Sequence, residues 1–217
     1  GGEVFALAVD AEAALLEYLD MYYHLGRAGK ALEKVGAIDF VTTIAPGLRD
    51  VLLTGKVYEA TRRKAHGKLA YDAVVLDAPP TGRIGRFLNV TAETARLAKM
   101  GPIKTQSEGV ASLLRSPITS VHVVTLLEEM PVQETLDAID ELRALDIPVG
   151  RIIVNGTRPP LLTAGKVTKA ELKRGLTAAG LPADPTAVAL LQDEAKAHLT
   201  RRAMEEALRA DLHESGL

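Results

Sequence analysis

The sequence contains no cysteine and no tryptophan, and aromatic residues make up only 4% of its 217 positions. Without cysteine, disulfides, thiolate metal centres and cysteine nucleophiles are excluded. With so few aromatics, the core must be built from Leu, Val, Ile and Ala, which a hydrophobic content of 47% supplies. An excess of one charge is missing too. The 26 Lys and Arg face 28 Asp and Glu, for a net charge of −2, so neither a nucleic-acid footprint nor a polybasic membrane face is expected. No apolar run reaches the ~18 residues of a membrane-spanning helix, no secretory leader pattern is read, and the expected location is the cytoplasm. The histidines, His24, His66, His122, His198 and His213, lack the paired spacing of metal ligands.

What is present is an alternation of short apolar runs with helical patterns. Val4 to Val9 reads as a buried strand closed by Asp10, and the helix after it places Leu15, Leu16, Leu19, Tyr22 and Tyr23 on one face. A helix is expected over 47–68, with Val51, Leu52, Gly55 and Tyr58 inward. Its end is crowded by Arg62, Arg63, Lys64, His66 and Lys68, either a patch for phosphate or a partner or the favourable charges of a last helical turn. Strands are expected at Tyr71–Asp77, Ser120–Leu127 and Arg151–Val154. Helices are expected at Val132–Leu145, after a helix-starting Pro131, and at Ala187–His213. Thr168 and Glu171 have the spacing of a capping box. Between Asn89 and Ser116 lies a weakly periodic, Met-containing stretch interrupted by Gly101-Pro102, expected to be helices with a mobile middle.

Each strand is a continuous apolar run rather than an in–out alternation, the signature of a parallel sheet covered on both faces. The fold class expected is α/β, doubly wound, with a mostly parallel sheet and helices on both faces. It is read as one domain over 1–217 carrying a small helical insert around 89–116. In such sheets ligands bind beyond the carboxyl ends of the strands, where Asp10, Asp77, Glu128, Glu129 and Asn155 stand.

The most specific string is Val-Val-Leu-Asp-Ala-Pro-Pro-Thr-Gly, Val74 to Gly82. A carboxylate at a strand end can face the cation and phosphates of a bound nucleotide, since a hard cation prefers oxygen ligands. The prolines fix the backbone, and Thr81-Gly82 leaves N–H groups available to a γ-phosphate. A turn-capping aspartate is the alternative for Asp77. Asn155 has a donor and an acceptor for a purine edge, or can stabilise its own turn.

This string, continued through Arg83-Ile-Gly-Arg-Phe-Leu88, resembles the switch II segment of the ArsA/GET family of ATPases. Phe5–Leu19 is similar to that family's strand ending in Asp-Pro and the helix after it. Ala45–Glu59 resembles its Pro-Gly helix, and Arg151–Pro160 its Val-Asn strand end. The resemblance covers roughly residues 4–160. It implies a P-loop ATPase using ATP and Mg²⁺, with Asp77 on the Mg²⁺ side through water, Pro79, Thr81 and Gly82 in switch II, and Asn155 at adenine. It also implies a homodimer, or a heterodimer with a paralogous ATPase, acting on a protein or membrane-protein client. The sequence departs from the family in three ways. Arg83 replaces the histidine after Thr-Gly, cysteine-based arsenite and zinc sites are impossible, and no Gly-x-x-x-x-Gly-Lys-Ser/Thr run occurs. The expectation is therefore an ATPase domain lacking its N-terminal P-loop part, inactive by itself, and lacking a last strand after the long final helix. The alternative is a P-loop-free scaffold or regulatory subunit that dimerises with a catalytic paralogue.

Overall fold

The computed structural model describes residues 2–10, 13, 14, 16, 17, 20, 46–97, 102–157, 159, 161, 162 and 167–216. They form α1 (Pro46–Arg62), β1 (Lys64–Ala65), β2 (Lys68–Leu69), α2 (Thr81–Leu97), α3 (Pro102–Leu114), β3 (Val121–Thr125), α4 (Glu129–Ala144), β4 (Val149–Val154), α5 (Lys169–Ala178) and α6 (Pro185–Glu214). The class is α/β, as expected. The chain divides into two compact units, Gly1–Val121 with Ala138–Val149, and His122–Asp137 with Gly150–Leu217.

In the first unit, α1 packs with α2 and α3. The seam is apolar: Val51 and Leu52 from α1, Ile84, Phe87, Leu88 and Val90 from α2, and Val110 from α3 are buried. Thr54 is buried beside them because its hydroxyl donates back to the Asp50 and Val51 carbonyls at 2.7 and 3.2 Å. Glycine sets how closely the helices approach. A methyl group at Gly109 would lie 2.7 Å from the Tyr58 hydroxyl oxygen. From α4, Ala138, Ile139 and Leu142 are buried, and Ile147 follows them into the interior. The stretch read as loosely periodic is thus the end of α2 and the whole of α3, with Pro102 as the first residue of α3, where its missing N–H costs nothing. Residues 98–101, where a mobile middle was expected, lie outside the described residues.

Two expectations are corrected here. The helix expected over 47–68 stops at Arg62, and a small antiparallel hairpin follows, with Lys64 opposite Leu69 and Ala65 opposite Lys68. His66 and Gly67 have φ of +52° and +80°, the pair of left-handed residues that a two-residue hairpin turn demands. A helix cannot pass through them. The second correction concerns Val4–Val9 and Tyr71–Asp77. Neither belongs to a ladder among the described residues, and Val4 is 95% and Val75 93% exposed. The side chains are strand-like, but a strand exists only through the neighbour that takes its backbone hydrogen bonds.

β3 and β4, which belong to the second unit from His122 and Gly150 onward, run parallel. Their ladder is bracketed by Val121 N–H to the Pro148 carbonyl at 2.9 Å and by Asn155 N–H to the Thr125 carbonyl at 2.8 Å. Leu127, Val132 and Leu212 form its core, with Leu136, Ile152, Val154 and Leu208 against them. Val124, Leu126 and Ile153 on the other face are exposed. Among the described residues, the coverage of both faces expected from the unbroken apolar runs is seen on one face of this pair. The capping box is present as read: the Thr168 hydroxyl accepts from Glu171 N–H, and the Glu171 carboxylate accepts from Thr168 N–H at 2.9 Å. Asp184 caps α6, accepting from Thr186 and Ala187 N–H at 3.0 Å, and Pro185 follows as first helical residue. Among the described residues, no helix is long and apolar enough to cross a membrane.

Candidate functional site

The site begins at Tyr71. Arg63 donates to the Tyr71 hydroxyl at 3.4 Å, and the Tyr71 ring meets Phe5 edge-on, with centroids 6.2 Å apart. Arg63 is itself gripped by both oxygens of Glu59, at 2.9 and 2.8 Å. Lys56 joins Glu59 at 3.4 Å to Glu17 at 2.6 Å. This chain of charges ties α1 to the start of the run that ends in Asp77. The hydrogen bond from Arg63, reinforced by Lys56, holds the Glu59 carboxyl below the ordinary carboxylate range. Because the folded pKa is depressed, the stabilisation is present above the unfolded value, about 4.3 for a free Glu, and is lost as the pH falls through the folded value. Glu59→Gln should therefore melt below the wild type at neutral pH. The gap should close on acidification below about pH 4, as read by thermal melts at several pH values. It should stay small throughout, since exposed pairs are individually weak.

From Ala73 to Asp77 the chain is exposed and belongs to neither helix nor strand. Pro79 is half-buried, Pro80 is exposed, and Thr81 is the first residue of α2. Arg83 N–H donates to the Pro80 carbonyl at 2.9 Å, so the prolines feed the chain directly into the helix. The Thr81-Gly82 turn read from the sequence is thus a helix N-terminus. The consequence for chemistry is unchanged for Gly82, because the N–H groups that open a helix sit at the positive end of its dipole and lie before its first i→i−4 bonds. Among the described residues, nothing lies within 4 Å of the position a Gly82 Cβ would take, so none of them blocks the approach to this turn. Arg83 and Arg86 are exposed. One neighbour was not read from the sequence: the Glu141 carboxyl of α4 packs directly against Gly85, where a side chain would collide with it. The available signal was the glycine itself, since a Gly inside a helix marks a close approach.

Asp77, Pro79, Thr81 and Gly82 therefore follow one another around a single turn in the first unit. Asn155 belongs to the second, at the carboxyl end of β4. Its Oδ1 accepts from Gly156 N–H at 2.9 Å, and Gly156 has φ +66°. The acceptor half of this amide thus serves its own turn, as the alternative reading held, while the donor half makes no bond to a described residue. Asp10 also caps: its Oδ1 accepts from Ala13 N–H at 2.9 Å. Among the described residues, no group of three or more His, Asp or Glu is placed to hold a metal ion by itself.

No family model matches the chain. It is 52% identical over 210 residues to the ATPase BagA of Mycobacterium tuberculosis, an alignment covering 93% of this chain and 62% of that protein. It is 25% identical over 182 residues to the ATPase GET3 of Kluyveromyces lactis, covering 69% of this chain and 52% of that protein. The chain thus spans about three fifths of the length of the Mycobacterium relative.

Proposed function

We propose that these residues form the switch-bearing part of an ArsA/GET-type ATPase, on a doubly wound, P-loop-like fold. Mg²⁺-dependent ATP hydrolysis at the Asp77 turn would move α2 and α3. The observation that carries the reading is the Asp77–Gly82 turn, an exposed carboxylate leading within a few residues into the open N-terminus of a helix. The 52% identity to a protein named an ATPase supports it. Asp77 and Thr81 offer hard oxygen donors, which suit Mg²⁺, a cation that keeps several waters and takes its other ligands from one or two carboxylates and the nucleotide phosphates. Such a cation needs no all-protein cage. When bound, it would neutralise charge developing on the phosphates.

The chain's own residues divide the remaining work. Asp77 holds the cation side through water. Pro79 and Pro80 stiffen the turn, so that Gly82 N–H is presented to phosphate at little entropic cost. Asn155 would offer its side-chain N–H₂, which bonds to no described residue, to adenine. The helical insert around 89–116, α3 included, receives any displacement of the turn and passes it to a partner or client, within a homodimer or a heterodimer with a paralogous ATPase. The Gly-x-x-x-x-Gly-Lys-Ser/Thr cradle is not among these 217 residues, and in this reading polypeptide outside them supplies it. Full-length protein should therefore hydrolyse ATP with Mg²⁺, while the 217-residue chain alone should give no turnover above buffer. Steady turnover by the purified chain alone would overturn the reading, and inactivity of both would favour the scaffold alternative.

A further inference from the structure

We propose that the basic segment Arg62–Lys68, which runs from the end of α1 into the hairpin Lys64–Leu69, is a docking element for an acidic polypeptide segment, separate from the Asp77 turn. Four of its seven residues are Lys or Arg and none is acidic, in a chain whose net charge is −2. The structure removes the explanation that they are the last turn of a helix. Only Arg62 is helical, and Lys64, His66 and Lys68 sit on a projecting two-stranded turn with their side chains exposed. Lys64 and Lys68 form no ion pair with any described residue; Arg63 alone is neutralised, by Glu59.

The arrangement is pre-ordered. Arg62 lies over the Tyr58 ring, 5.2 Å from its centroid, and donates to the Tyr58 hydroxyl. The His66-Gly67 turn fixes the strands in one register. Cations held in place lose less entropy on meeting a partner than free ones do.

Geometry selects the partner. Directly opposed residues share a face, so Lys64 stands with Leu69 on one side and Lys68 with Ala65 on the other, with His66 at the tip. Positive charge on both faces, Lys64 on one and Lys68 on the other, cannot be met at once by a flat anionic bilayer. It is matched by a polypeptide carrying several Asp or Glu side chains that can wrap the hairpin. Leu69, 62% exposed, is the one large apolar side chain on the hairpin, too little for membrane insertion.

The test uses full-length protein and a fluorescent oligoglutamate peptide at low ionic strength, with an oligoglutamine peptide as control. Oligoglutamate should bind with an affinity that falls as salt is added, and oligoglutamine should not. Lys64→Glu/Lys68→Glu should weaken binding about tenfold or more, and Lys64→Gln/Lys68→Gln by less. Lys169→Glu/Lys173→Glu on α5, with the same change of charge, should bind like the wild type. All four lysines are exposed, and circular dichroism confirms that each variant folds. Equal loss in the α5 variant would overturn the proposal, as would binding indifferent to the hairpin charges. So would vesicles of phosphatidylserine and phosphatidylcholine that bind the hairpin in preference to oligoglutamate.

Discussion

Asp77→Asn, made in the full-length protein, is expected to lower the rate of Mg²⁺-dependent ATP hydrolysis about a hundredfold or more, and to leave the melting temperature nearly unchanged. The substitution keeps size and turn-forming ability but replaces a carboxylate with a neutral amide, so the charge facing the cation is lost. A hundredfold is about 2.7 kcal/mol of barrier, a modest demand on a carboxylate serving a divalent cation. Stability should hold because Asp77 is exposed and no described residue donates a hydrogen bond to it. A structural aspartate capping its turn would give the opposite pattern, a lowered melting temperature with kcat retained in whatever protein stays folded. The two measurements together separate the roles.

Leu142→Ala is expected to cost about 3 kcal/mol of stability, within the usual range for a fully buried leucine. Leu142 is 0% exposed, with Ile139 at 1% one turn before it and Ile147 at 4% after the helix. The backbone around it is fastened as well: Ile147 N–H returns to the Leu142 carbonyl at 3.0 Å, and Arg115 donates to the Leu145 carbonyl at 3.0 Å. A held segment cannot collapse into the cavity, so most of the loss should persist. Urea unfolding reads it as a shift in midpoint at constant slope. A cost below about 1 kcal/mol would mean that this end of α4 is loosely packed.

What was legible in the sequence was whatever depends on neighbours along the chain. The Thr168–Glu171 box, the apolar side of α4 at Leu136, Ile139 and Leu142, the strands β3 and β4 and the long α6 all follow from local spacing, and all are present. The basic hairpin was missed because five Lys, Arg and His in seven residues look the same on a helix end as on a turn. The informative signal was His66-Gly67, two residues able to take positive φ. Val4–Val9 and Tyr71–Asp77 failed for a different reason. Apolar composition states that a segment is suited to a strand, but hydrogen bonding to another strand decides whether it is one, and that partner is not encoded in the segment. The exposed Val124, Leu126 and Ile153 teach the same lesson about a sheet face. At the candidate site, the order Asp77, Pro79, Thr81, Gly82 was readable as a turn. That the turn opens a helix is a local feature, set by Arg83 N–H returning to the Pro80 carbonyl, but that Glu141 lies against Gly85 required a contact between residues distant in sequence.

The claim that the Asp77 turn serves a nucleotide is tested most directly by amide hydrogen exchange of Ala78–Gly85 in the full-length protein, with and without Mg²⁺ and a non-hydrolysable ATP analogue. Gly82 N–H lies in the first turn of α2 with open space beside it, and without ligand it should exchange rapidly. Binding of a phosphate to the helix N-terminus should slow it by about tenfold or more, the equivalent of about 1.4 kcal/mol of protection, and Asp77→Asn should abolish most of that protection. Exchange of Ala78–Gly85 that is identical with and without the analogue, at concentrations where ATP is bound, would contradict the account.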